Sequence, residues 1–457
     1  MGAYRRKGGG GGAYGRVAAA TLALLRRAPH VVPERRTAPG GVPLSAETTF
    51  DETAAPATRH NPHQLNAATR FLRRAAPAVG LFAVARLTGL LLMGGWAERI
   101  GRRPRAILGR AWDADWYMLI AEHGYGRVLN WPGAVQSDLA FFPLYPALVR
   151  GLSELVPGVT SGTLGLLVSW SAALVAAGGI YAVGERLYGR RAATLLVLLW
   201  GLLPHSVVLT MAYTEPLLTA FAAWTLYALL TRRWLWAGGL AVLAGLSRPN
   251  GIAVVAAVLW VVAYEIVRGG ARGRTRPERS GETDRTGRAT RRDPRLWAAA
   301  ALAPAGWCGY VLWVGFRTGD PLGGYFAVQR GWTSTFDFGA GSARVVRDIV
   351  LRPAVLPLTA ALLIVLAAVV LFVLFVLGRP PAALLVYTAV LVLITVGGSG
   401  FFESKPRFLL PAFPLLLPLA LALTRARPRP AIVVIAALAG LSFGYGTYLL
   451  TLSPIAL

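Results

Sequence analysis

The sequence predicts an all-α polytopic membrane protein, with about eleven transmembrane helices and a long first extracytoplasmic loop. Two observations carry this. Of 457 residues, 55% are hydrophobic and only 15% are charged, against about 25% charged in an ordinary soluble chain. The apolar residues also gather into runs that approach the roughly 20 residues needed to cross a bilayer.

Taken in order, the first span falls near 76–96, preceded by a basic arm over 1–75. The long loop 97–162 follows. Spans then fall near 163–185, 192–211, 214–231, 233–247 and 251–267. The pair 233–247 and 251–267 is short for two crossings, with Ser247-Arg248-Pro249-Asn250-Gly251 as a tight break between them. A second basic segment, 268–295, interrupts the run. Further spans fall near 296–316, 354–377, 381–398, 408–424 and 431–450, with a loop between 317 and 353.

The net charge of +26 is unevenly spread: residues 1–75 hold 12 Arg/Lys and 268–295 hold another 10. Both stretches are rich in Gly, Pro, Thr and Ser, lack apolar periodicity, and read as disordered. Beside membrane spans, such arms fit cytoplasmic anchoring against anionic lipid, and nucleic acid is not expected as a partner. The patch from Val17 to Leu25 is short for a signal-peptide core, and two arginines follow it without a small-residue cleavage site. The single cysteine, Cys308, excludes an intramolecular disulfide or a cysteine metal cluster. The five histidines show no metal-ligand spacing; the Asp113-Ala114-Asp115 pair can also be a metal site, so no cofactor is expected and a divalent metal stays possible, though not expected.

The arginines orient the chain. With the N-terminal arm in the cytoplasm of a multi-pass cell-membrane protein, Arg186/Arg190/Arg191, Arg232/Arg233, the 268–295 loop, Arg379 and Arg425/Arg427/Arg429 also become cytoplasmic. Five unusual segments then share the extracytoplasmic face: Trp112–Tyr125, Tyr213–Pro216, Ser247–Gly251, the 317–353 loop and Gly400–Phe408. An active site at the outer membrane surface would explain their grouping.

In Trp112–Tyr125, a carboxylate from Asp113 or Asp115 can serve as general base toward a hydroxyl. Residues two apart point to nearly opposite faces of a helix, so the two need not share one site. Capping of the helix start by an Asp is the alternative. Arg248, Lys405 and Arg407 form a basic set on the same face, suited to a lipid phosphate or to snorkelling at span ends. Lys405 is one of only two lysines in the chain. Glu215 can bind a sugar hydroxyl or sit among headgroups. Arg86 lies mid-span, where a charge signals function or a buried partner. His205 reads as a packed histidine. The aromatics of Asp138–Pro146 offer an interfacial shelf for a lipid tail or sugar ring, or an aromatic belt.

Together these pieces resemble the PIG-V family, the second mannosyltransferase of glycosylphosphatidylinositol assembly, with its bacterial relatives, within the GT-C superfamily. The residues that carry the resemblance are Trp112-Asp113-Ala114, Ile120-Ala121-Glu122-His123-Gly124-Tyr125, Phe141-Phe142-Pro143-Leu144-Tyr145-Pro146, Tyr213-Thr214-Glu215, Ser247-Arg248-Pro249-Asn250-Gly251, and Pro406-Arg407-Phe408 to Pro414. They follow the family's order over residues 76–450. Trp116 stands where the eukaryotic pattern has a histidine, and Asp115 stands where the family varies. Arginine-rich, Gly/Ala-biased usage points to a high-GC bacterium.

The resemblance implies a GT-C-like transmembrane domain over 76–457 with 97–162 as its catalytic loop. It implies a transferase moving a mannosyl or other hexosyl unit, with inversion, from a polyprenyl-phosphate sugar to a glycan or lipid acceptor. Asp113 would be the base, with a weaker transfer of that role to Asp115. Arg248, Lys405 and Arg407 would hold the leaving phosphate, and Asn250, Glu215, His123 and Tyr145 would contact substrate. Two other readings stand beside it: a transporter or flippase for a lipid-linked sugar, and a non-catalytic subunit of a glycosyltransferase assembly.

Overall fold

A computed structural model describes residues 62–132, 134–272, 293–352 and 354–455. The chain divides into two units, Met1–Asn61 and Pro62–Leu457. The first lies outside the described residues, as do 273–292 of the second basic segment. The expectations of disorder are not addressed for these residues, but the described edges of the second segment, 268–272 and 294–295, are helical.

The first helix, α1 (Pro62–Arg99), begins well before the expected start of the span at 76. Residues 66–75 are rich in Ala and Arg, both strong helix formers, and they are anchored. Phe71 packs edge-on against Tyr181 and Trp224, Ala75 is buried, and Arg74 lies 3.6 Å from Glu185. Basic composition hid a helix whose apolar residues are held by neighbours.

The loop 97–162 is an ordered cap. It contains α2 (Pro104–Arg110), α3 (Asp113–His123), a two-stranded antiparallel sheet and α4 (Leu144–Leu155). The sheet pairs β1 (Val128–Trp131) with β2 (Ala134–Ser137), Val128 opposite Ser137 and Trp131 opposite Ala134.

α5 (Ser161–Gly201) is a folded pair of helices; the first covers the span expected near 163–185, whereas the second ends at Gly201, short of the expected 211, and Ser206–Thr210 forms a separate 3-10 turn. The break within α5 is Gly189 (φ 82°, ψ 173°), a conformation open to glycine and closed to other residues. The reversal brings Gly184 against Ala193, where an added Cβ would sit 2.9 Å from the Ala193 Cα. α6 (Glu215–Leu230), α7 (Trp234–Ser247), α8 (Ile252–Arg272), α9 (Pro294–Leu302) and α10 (Ala305–Thr318) follow. α7 packs closely on α9 and α10 through glycines: a Cβ at Gly238 would meet Ala299, and one at Gly245 would meet the Trp307 backbone. Small residues let membrane helices approach in this way.

Beyond the short α11 (Gly324–Gly331) and α12 (Ala340–Leu351) come α13 (Leu356–Leu377) and α14 (Ala382–Gly397). The chain then makes an 80° bend between 402–408 and 413–425, within which lies α15 (Lys405–Phe408). It ends in α16 (Leu417–Arg425) and α17 (Pro428–Thr451). Six helices among the described residues are long and apolar enough to cross a membrane, or seven if the bent pair counts as one. The expected eleven is not reached by that measure. Glu215–Leu230, Trp234–Ser247 and Ala382–Gly397 are apolar but shorter.

Most of the core is one large cluster centred on α5, α6 and α1, and a second, smaller one gathers Phe142, Tyr310, Val311, Val314 and Tyr325. The largest fully buried side chains of the first include Trp200, Tyr145, Tyr181, Tyr213, Tyr387 and Phe82. Phe141, Phe142 and Tyr145 are buried, so the expected aromatic shelf is interior packing.

Candidate active site

α3 positions the first carboxylate. Its N-cap is Trp112, held at φ 53°, ψ −118° with no side-chain capping bond. A non-glycine residue there is strained, and strain of this kind concentrates at functional sites. Asp113 therefore does not cap the helix. Its Oδ2 lies 2.7 Å from Nη1 of Arg407. As a first-turn residue it also sits favourably at the positive end of the helix dipole.

Arg407 arrives from the bend. The short α15 buries it to 7% exposure and holds its guanidinium over the rings of Tyr213 and Phe408, each at 5.2 Å. Its Nε is buried with no hydrogen-bond partner among the described residues. Arg248, in extended conformation directly after α7, stacks on the same Phe408 at 5.6 Å. It pairs closely with Glu215, which is fully buried at the start of α6, and its Nη1 donates to Thr214 Oγ1 at 3.1 Å. That hydroxyl also shares a 3.2 Å hydrogen bond with Tyr117 of α3. Burial pushes the Tyr117 phenol up to about 12, so it is neutral across the working range of the protein.

Asp113, Arg407, Glu215 and Arg248 thus alternate in sign around Tyr213, Thr214, Tyr117 and Phe408. The two ion pairs come from four separate parts of the chain, and all four belong to the segments expected to share one face. The fifth, 317–353, joins them at the edge: Trp332 packs against Trp116 and Phe141, its Nε1 donates to Ser137 O, and Phe336 bridges to Gly398.

Other anticipated residues fall elsewhere. Asp115 points away from Arg407, 3.3 Å from Arg110 and 3.9 Å from Arg127, with its side chain 42% exposed. Lys405 is buried, and its Nζ donates to the carbonyls of Thr395 (2.5 Å) and Gly398 (2.6 Å) at the end of α14. Tyr145 is fully buried, donates to Gly165 O and packs edge-on behind Tyr117 at 5.2 Å. Asn250 is half-buried in the turn Pro249–Gly251. His123 is exposed at the far end of α3, with Nε2 3.8 Å from Glu122. His205 is packed, as expected, against Tyr445. Arg86 finds no carboxylate among the described residues; it donates to Ser442 Oγ at 3.1 Å and lies over Phe443.

Sequence reading missed the side chains that join these charges. Tyr117, Tyr213, Thr214 and Phe408 were in view as neighbours of motif residues, yet no spacing rule marks a threonine as the shared partner of an arginine and a tyrosine.

No family model matches the chain. A stretch of 167 residues is 35% identical to GPI alpha-1,6-mannosyltransferase 2 of Rattus norvegicus, covering 34% of this chain and 32% of the relative. The same protein of Cricetulus griseus is 34% identical over 158 residues, 32% of this chain and 30% of the relative. The chain is similar to the PIG-V mannosyltransferases. The match spans about a third of the length of these curated relatives. Among solved structures, ArnT from Cupriavidus metallidurans bound to undecaprenyl phosphate aligns with TM-score 0.47 and 16% identity, over 79% of this chain and 63% of that one. The apo oligosaccharyltransferase of Archaeoglobus fulgidus aligns with TM-score 0.42 and 13% identity, over 81% and 55%.

Proposed function

We propose that this chain is a membrane glycosyltransferase that moves a mannosyl or other hexosyl unit from a polyprenyl-phosphate sugar to a hydroxyl of a glycan or lipid acceptor. The single observation that carries the reading is the contact between Asp113 and Arg407. It places a carboxylate able to take a proton beside a guanidinium able to hold a phosphate.

In this reaction the acceptor hydroxyl oxygen attacks the anomeric carbon of the donor sugar. Its proton passes to a carboxylate oxygen of Asp113. The bond from the anomeric carbon to the phosphate oxygen breaks, its electron pair stays on the phosphate, and the sugar inverts. Negative charge grows on the leaving phosphate. Arg407, with its unpartnered Nε, and Arg248 are the fixed cations that meet it. Preorganised charge of this kind is commonly the largest catalytic term. The reading assigns the charge stabilisation to arginines and calls on no divalent ion.

The donor's chain would lie in an apolar groove of about 520 Å³ between α13 and α17, lined by Leu356, Leu363, Leu441, Gly444, Tyr445 and Tyr448. Pro204 also lines the groove. The next residue, His205, packs on Tyr445, another lining residue, at 5.4 Å. The topology inferred from the arginines puts the site on the extracytoplasmic face of the cell membrane.

The test is product analysis with purified protein, polyprenyl-phosphate-mannose and acceptors extracted from the parent membrane. A glycosylated acceptor whose formation requires Asp113 supports the reading. Lipid movement across the membrane without a new glycosidic bond would replace it with transport.

A further inference from the structure

On α3, the side chains of Asp113, Trp116, Ile120 and His123 share one stripe, spaced by three and four residues. Asp113 ends the stripe at the ion pair with Arg407. From Trp116 to His123, about 4.5 to 15 Å along the axis at 1.5 Å per residue, the helix borders a cleft of about 160 Å³. Trp116, Ile120, His123, Tyr125, Arg127 and Asp138 are among its walls. It is smaller than the roughly 300–1,000 Å³ of pockets for drug-sized ligands and is on the scale of one sugar ring.

Asp138 sets the chemistry of this cleft. It is 1% exposed, and its Oδ2 accepts the backbone N–H groups of Gly126 and Arg127, each at 2.8 Å. Its Oδ1 is buried and has no hydrogen-bond partner among the described residues. Buried acceptors are satisfied in the great majority of native structures. Asp138 lines the cleft, so a donor that enters the cleft is a candidate partner for this oxygen.

Arg127 supplies the opposite character. Its guanidinium lies over Trp116 at 5.2 Å, 3.9 Å from Asp115, and adds N–H donors at the cleft. The imidazole of His123 is open to solvent at the same place. The remaining wall, Leu119, Ile120 and the ring of Tyr125, is apolar, while the Trp116 ring is covered by Arg127 and stacked on Phe141. An anion here would face the Asp138 carboxylate. A cation would face Arg127. A hydrocarbon would leave the Asp138 oxygen unpaired. A neutral polyhydroxylated ring suits all three surfaces: its hydroxyls donate to Asp138 and accept from Arg127, and its C–H face rests on the apolar wall.

We propose that this cleft is a subsite for a neutral sugar residue of the acceptor, set back along the acceptor chain from the hydroxyl that reacts at Asp113. That the sugar belongs to an acceptor rests on the transferase reading; the preference for a neutral sugar rests on the cleft alone. Asp138 and Arg127 are binding residues for it, and Trp116 links the cleft to the catalytic end of α3.

The test uses the full chain in lipid nanodiscs with methyl α-mannoside and methyl α-glucoside as probes, and saturation-transfer NMR as the readout. Asp138→Asn replaces the orphan acceptor with an amide, and Arg127→Met keeps the methylene stem against Trp116 while removing the donors. Sugar binding by the native chain, weakened about tenfold in each variant by loss of a charge-assisted hydrogen bond, supports the subsite. No saturation transfer above empty nanodiscs, or native affinity in both variants, overturns it. If Asp138→Asn unfolds early in a thermal melt, Arg127→Met decides alone. Transfer from polyprenyl-phosphate-mannose to a synthetic mannobioside, run on the same preparations, separates the two proposals. Sugar binding with no transfer either to the mannobioside or to acceptors extracted from the parent membrane sinks the transferase reading and leaves the subsite. Transfer with an unchanged acceptor KM in both variants sinks the subsite and leaves the transferase.

Discussion

Arg407 and Asp113 meet at 2.7 Å although one lies in the last third of the chain and the other in its first loop. The contact fixes where a proton acceptor and an anion-binding cation stand relative to each other. It also separates Asp113 from Asp115, which faces Arg110 and Arg127.

Replacing Asp113 with Asn keeps the shape of the side chain and removes its ability to take a proton. General-base catalysis contributes about 10²–10⁴ in rate, so kcat for sugar transfer should fall by about that factor while the thermal melt stays near that of the native chain. Transfer at native rate in Asp113→Asn would remove the assigned base.

Asp115→Asn should behave differently. Its partners are partly exposed arginines, and exposed ion pairs are worth at most about 1 kcal/mol. The expected kcat is within about fivefold of native, since 1.4 kcal/mol corresponds to tenfold. Steady-state kinetics of the two variants side by side tests whether one carboxylate or both do the chemistry.

Arg407→Lys retains a positive charge and loses the planar fork that lies between Tyr213 and Phe408. A lysine cannot present Nε and Nη donors together. If Arg407 holds the leaving phosphate, kcat should drop by about 10²–10³, as for loss of a preorganised donor. A variant that folds and transfers normally would show that Arg407 only positions Asp113.

Much of this site was legible in the sequence, and the illegible parts share a cause. Asp113, Glu215, Arg248 and Arg407 stood out because charges beside membrane spans are scarce. Their grouping followed from loop positions alone. Which charge pairs with which did not, because those contacts join segments far apart in sequence. Lys405 seemed equivalent to Arg407 two residues away, yet a four-residue helix turns one toward the α14 carbonyls and the other toward Asp113. The start of α1 was hidden because its arginines masked Phe71 and Ala75, whose burial depends on α5 and α6. Asp138 looked like one more loop carboxylate; only its neighbours show that one oxygen is used and the other left open.

The Glu215–Arg248 pair allows structure and function to be told apart. Both side chains are buried, so removing one leaves an uncompensated charge and should destabilise the fold by about 3–5 kcal/mol. Glu215→Gln and Arg248→Gln singly should each lower the melting temperature. The double variant should recover most of the loss, because a neutral pair needs no counter-charge. Activity should not recover with it if Arg248 meets the donor phosphate. A double variant that regains both stability and transfer would reduce the pair to a structural one.

The groove between α13 and α17 makes a claim about the donor's chain that Gly444 can test. An added Cβ at Gly444 would meet nothing within 4 Å, so a larger side chain fits there without displacing its neighbours. Gly444 lines the groove, and Gly444→Leu would therefore fill part of it at little cost to the fold. Loss of groove area should raise the KM for a long-chain polyprenyl donor by about tenfold, since a few buried methylenes at about 0.8 kcal/mol each supply that much binding. A donor analogue with a short, water-soluble chain does not reach the groove and should keep its native KM. Equal effects on both donors would place the substituted residue in contact with the headgroup, and no effect on either would take the polyprenyl chain out of this groove.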